Sequence, residues 1–101
     1  MDMRKMMKEA QKMQKEMEKA QDEIALLTAE ASSGGGIVKA VAQGEGLLTS
    51  ITIDPAALDG GDVEMLEDMV LAAANDALRK VAELANIRMS AVTGGLNIPG
   101  L

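Results

Sequence analysis

The feature that most constrains this chain is a run of apolar residues near its start. Met3, Met6, Ala10, Met13, Met17, Ala20, Ile24, Leu27 and Ala31 recur at alternating steps of three and four. That is the heptad spacing of a helix that buries one narrow seam. No Gly or Pro interrupts residues 3–31, and the good helix formers Lys, Glu, Gln, Met and Ala dominate the stretch. The spacing predicts one long N-terminal helix within 1–31. Its last turn is the weakest, because Thr28 and Ser32-Ser33 lean toward extended structure.

With Met3 at position a, Lys5, Lys12 and Lys19 fall at c and Lys8 and Lys15 at f, nearly opposite the seam. Glu9, Glu16, Glu23 and Glu30 all fall at g, beside it. The helix thus has a Met-rich face, an acidic flank and a basic back. Residues 1–19 hold six basic and four acidic groups, whereas the whole chain holds 10 basic and 16 acidic and carries a net −6. The total conceals a segregation of charge.

The absences narrow the function. The 101 residues contain no Cys, His, Phe, Tyr or Trp. That removes disulfides, thiolate metal sites, the commonest neutral-pH acid/base and the rings on which bases or flat cofactors stack. The core must be built from Met, Leu, Ile, Val and Ala. No apolar run approaches the ~20 residues that a membrane span needs. The basic start lacks the apolar stretch of a secretory signal. The expectation is a single cytoplasmic domain with no membrane contact, no cofactor and no metal.

Beyond the seam, Ser32-Ser33-Gly34-Gly35-Gly36 breaks the helix and reads as a linker, because no Lys-Ser/Thr follows to make it a phosphate loop. Ile37–Ala42 and Leu47–Ile53 have strand character around Gln43-Gly44-Glu45-Gly46, a β-hairpin pattern. Asp54-Pro55 ends the second strand, and Gly60-Gly61 precedes a second long helix of about 63–92 with Asp62 as N-cap and Gly94-Gly95 as stop. Glu64, Glu67 and Asp68 suit the positive end of its dipole, a simpler reading than a hard-cation site.

This second helix is apolar on two sides. One stripe is Leu71, Ala74, Leu78, Val81, Ala85, Met89 and Val92; the other is Leu66, Val70, Ala73 and Ala77, continued by Leu84. Two stripes need two covers. The hairpin supplies one, and a second copy of the chain is the natural other. Two helices of about 40–45 Å also overrun a globule with a radius of gyration of ~13 Å. The expectation is a homodimer whose packing residues include Met13, Met17, Leu71, Ala74, Leu78, Val81, Ala85 and Met89.

Several stretches in this order resemble one family. They are Met7-Lys8-Glu9-Ala10-Gln11-Lys12-Met13-Gln14, Gly35-Gly36-Ile37-Val38-Lys39, Ile51-Thr52-Ile53-Asp54-Pro55, Glu64-Met65-Leu66-Glu67-Asp68, Ala73-Ala74-Asn75-Asp76-Ala77 and Thr93-Gly94-Gly95-Leu96-Asn97-Ile98-Pro99-Gly100. The chain is similar to the YbaB/EbfC family of nucleoid-associated proteins. The resemblance implies an α+β fold of α-β-β-β-α order: a long helix, a small antiparallel three-stranded meander and a second long helix. It implies a tweezer-like homodimer that binds duplex DNA and catalyses nothing. The extra strand would fall on Thr28–Ser32, which gives units of 1–31, 28–53, 62–93 and a tail of 94–101. The chain departs from the pattern at Gln43–Ser50, which has no positive charge where many members have some.

The basic stripe is either a solvated helix face or a phosphate contact, and the resemblance favours the second. The candidate DNA-binding residues are Arg4, Lys5, Lys8, Lys12, Lys15 and Lys19, with Lys39 and Arg88 in addition. Lysines are point charges, so binding would follow the backbone with little sequence preference and would affect nucleoid organisation or expression. The rival reading is a protein-interaction module whose long helices dock a recombination or replication partner.

Overall fold

Asp2 opens the first helix by accepting a hydrogen bond from the Arg4 backbone N–H. The structure, a computed structural model, describes residues 2–94. Helix α1 spans Met3–Ala25 and is followed by strands β1 (Thr28–Ser33), β2 (Val38–Gln43) and β3 (Leu47–Ile53) and helix α2 (Val63–Thr93). The α-β-β-β-α order is the one that the resemblance implies.

The first helix is shorter than its seam suggests. It stops at Ala25, where the N–H groups of Leu26 and Leu27 turn back to the carbonyls of Glu23 and Ile24, at 3.1 and 3.0 Å. Residues 28–33 become β1 and pair antiparallel with β2, from Thr28 opposite Gln43 to Ser33 opposite Val38. Leu27 and Ala31, the last two seam positions, therefore leave the helix. The ladder overrides helix propensity there because it places Ala31 in the core. The expected extra strand at Thr28–Ser32 is present, one residue longer.

Gly34–Gly36 is a tight turn rather than a linker. All three residues have positive φ (61°, 70° and 100°), a run that side chains with a Cβ resist. It swings the chain directly from β1 into β2. Gly44, in the next turn, donates its N–H to the Leu27 carbonyl at 2.9 Å. A Cβ on Gly44 would lie 1.6 Å from the carbonyl oxygen of Ile24, so only glycine lets the hairpin turn rest on the end of α1.

The sheet order is β1-β2-β3, with a register shift between Val41 and Ala42. Ala31, Val38, Ala40 and Ala42 point from one sheet face into Ala73, Ala77 and Val81 of α2, and these seven residues form the buried core cluster. Small side chains on both surfaces bring helix and sheet close together. The stripe on the sheet runs Leu66, Val70, Ala73, Ala77 and Val81; Leu84, assigned to it from sequence, is exposed. Val81 thus crosses from one predicted stripe to the other. Leu71 is exposed, while Ala74, Leu78, Ala85 and Met89 are half-buried.

The caps agree with the sequence. Asp54 accepts from the Ala56 N–H and Asp62 from the Met65 N–H. Gly94 closes α2, and Gly95 with the rest of the tail lies outside the described residues.

The shape is elongated, 71 × 26 × 16 Å with a radius of gyration of 19.8 Å. A globular chain of this mass exposes about 5,500 Å². This one exposes 7523 Å².

Candidate nucleic-acid interface

Residues 2–12 are all exposed and most of 13–19 with them, so α1 as far as Lys19 stands out from the body as a helical arm. Further along, Met13 and Met17 become half-buried and Ala20 is fully buried. Arg88 of α2 meets this end of the helix, its guanidinium 2.5 Å from the Glu23 carboxylate.

The arm carries the positive charge. Arg4, Lys5, Lys8, Lys12, Lys15 and Lys19 are all exposed. At about 100° per residue the five lysines form one stripe centred roughly 150° around the helix from the Met seam. From Lys5 to Lys19 the stripe is about 21 Å long at ~1.5 Å per residue. Over that length one strand of duplex DNA presents about six phosphates, at ~3.4 Å of helix axis each.

The chain's ten cations divide cleanly. Three on α2 are engaged: Arg79 pairs with Asp76, Arg88 with Glu23, and Lys80 donates from Nζ to the Glu30 carbonyl at 3.2 Å. The six on α1, together with Lys39, make no side-chain bond to any described residue. Lys39 stands on the solvent face of the sheet, between Ser32 of β1 and Thr52 of β3. The structure therefore brings six of the eight sequence candidates together on one arm, sets Lys39 apart on the sheet, and commits Arg88 to an internal ion pair. No spacing rule reveals that last pairing, because its partner is 65 positions away.

The acidic excess lies elsewhere. Asp54, Asp59, Asp62, Glu64, Glu67 and Asp68 cluster where β3 leads into α2, with no basic residue among them. Asp68 is 20 residues before Arg88 on the same helix, about 30 Å along its axis. The Debye length at physiological salt is about 8 Å. The acidic end is thus several Debye lengths from the α2 residue that meets α1, and residues 1–19, with six basic and four acidic groups, stay net positive within a chain of net −6.

A second surface is missing from a reading by elements alone. By register Leu48, Ile51 and Ile53 share the core-facing side of the sheet with Ala42, Ala40 and Val38. Yet α2 lies over β1 and β2 and scarcely covers β3. Leu48 and Ile51 are left exposed, and the outer edge of β3 pairs with no strand among the described residues. Beside it Val63, Leu66, Val70, Leu71 and Ala74 line an open apolar groove with Ile53. Alternation predicts which side each β3 residue faces, but not that the helix sits off centre. No helix among the described residues is long and apolar enough to cross a membrane.

A model of the YbaB/EbfC DNA-binding family matches residues 1–96. A nucleoid-associated protein of Desulforamulus reducens is 55% identical over 99% of this chain and 95% of its own length. One from Pelotomaculum thermopropionicum is 51% identical over the same shares. Among solved structures, an uncharacterized Helicobacter pylori protein matches with a TM-score of 0.71 and 26% identity, covering 86% of this chain and 91% of that one.

Proposed function

The chain belongs to the YbaB/EbfC DNA-binding family, and on that premise we propose that it binds duplex DNA through the lysine stripe of α1. The observation that carries this reading is the arm itself: six exposed cations that bond to no described residue, remote from the acidic end. Such a stripe contacts phosphates and reads no base edges, so sequence preference is slight. Binding of this kind organises DNA rather than marking one site, in keeping with the nucleoid-associated relatives. We read the protein as a DNA-binding component of the nucleoid and not as an enzyme.

The same reading includes a homodimer formed through β3 and the adjacent groove. Leu48, Ile51, Leu71 and Val63 are all exposed there, and the chain exposes about 2,000 Å² more than a globular monomer of its size. A standard protein interface covers about 800 Å² per partner, so one self-interface fits easily within that excess. Each dimer would carry two arms.

The test is fluorescence anisotropy of a labelled 20-base-pair duplex, titrated from low to physiological salt. Neutralising about 4–8 phosphates gives a log–log slope of roughly −4 to −7. Absence of binding at low salt, with helicity intact, overturns the reading.

A further inference from the structure

Resting on that assignment of α1 to DNA, we propose that the Met seam of one arm pairs with the seam of an arm from another molecule, so that the protein bridges two duplexes. The lysine stripe and the seam diverge by about 150°, so an arm laid on phosphates keeps its seam away from the DNA. Along the seam Met3 is 77% and Met6 50% exposed, and Ala10 is exposed as well. A recess at Ala10 is bounded by Glu9, Lys12, Met13 and Glu16. The body covers the seam fully only at Ala20. About two heptads of a regular helix-pairing pattern thus lack a cover among the described residues.

The residues beside the seam select the occupant. A second arm lying parallel places Glu9 and Glu16 at g opposite Gln14 and Gln21 at e, an acceptor–donor pairing without like-charge contact. An antiparallel arm would set glutamates against glutamates. A parallel pair therefore fits a second copy of this chain, and its two lysine stripes face outward in opposite directions. With axes 8–10 Å apart and helices about 10 Å thick, the pair holds two duplex surfaces about 20 Å apart. Two heptads without an aromatic or β-branched residue pair weakly when free. Arms concentrated on DNA pair by proximity, so the association belongs to the DNA-bound protein.

The experiment uses bead-tethered duplex, labelled free duplex, and the full chain with Met3, Met6 and Met13 all changed to Gln, which retains helix propensity. The wild-type protein should carry labelled duplex onto the beads. The triple variant should bind a 20-base-pair duplex within about twofold of wild type, keep its mass in solution, and recover at least about tenfold less labelled DNA, as loss of a multivalent link predicts. Changing the same residues to Leu should restore recovery. Equal recovery by the Gln variant overturns the proposal. So does a wild type that binds short duplex yet recovers nothing. A fall in the variant's mass in DNA-free solution overturns it as well, since the seam would then belong to the free assembly. If wild type fails to bind the short duplex at low salt, the DNA assignment is what has failed, and the bridge falls with it.

Discussion

Changing Lys8, Lys12 and Lys15 to Gln tests the central geometry quantitatively. These three residues occupy the middle of the exposed stripe, and none bonds to a described residue. Gln matches Lys in helix propensity, so the arm should keep its far-ultraviolet circular dichroism. Each lysine on a phosphate contributes about 0.9 to the log–log salt slope. Five stripe lysines on one arm give a slope of about −4.5, which is an affinity loss of roughly 500-fold between 50 and 200 mM salt. The two that remain in the variant, Lys5 and Lys19, give about −1.8, a loss of only ~12-fold over the same range. Anisotropy with a short duplex reads both slopes directly. A variant that binds with the wild-type slope would show that the stripe does not lie on phosphate, however well the fold survives.

Three further outcomes follow from particular contacts. Arg88→Gln should leave the salt slope unchanged, because its guanidinium is committed to Glu23; the partly exposed pair should contribute no more than about 1 kcal/mol in urea unfolding. Gly44→Ala drives a Cβ to within 1.6 Å of the Ile24 carbonyl oxygen, and should lower unfolding free energy by about 2–4 kcal/mol, unlike Gly60→Ala, whose Cβ meets nothing within 4 Å and whose backbone is not in the left-handed region. Ile51→Asp with Leu71→Asp places charge on the open β3–α2 face; light scattering should report half the wild-type mass with helicity retained, and an unchanged mass would remove that face as the self-interface.

Much of the fold was legible along the chain because its signals are local. Caps are one example: a carboxylate at Asp54 or Asp62 can satisfy a helix N–H only two or three residues ahead. Seam periodicity is another, since a helix repeats its faces whatever surrounds it. The same periodicity runs past the true end of α1. Leu27 and Ala31 continue the heptad count, but the ladder to β2 claims residues 28–33. A strand of six residues stabilised by its neighbour leaves little trace in its own composition.

The heptad seam, the basic stripe opposite it, the hairpin and the caps are all written in the order of residues along the chain. All of these depend on residues within a few turns of one another. Which cations stay available depends on contacts between distant segments: Arg88 and Glu23 meet across 65 residues, and Lys80 reaches a carbonyl 50 residues away. Tertiary packing also sets α2 over β1 and β2, which leaves β3 as an open apolar edge. The physical reason is that long-range packing sets both burial and charge pairing. A net charge of −6 says nothing of distance, whereas a separation of about 30 Å across a Debye length of about 8 Å lets a basic arm act on an acidic protein.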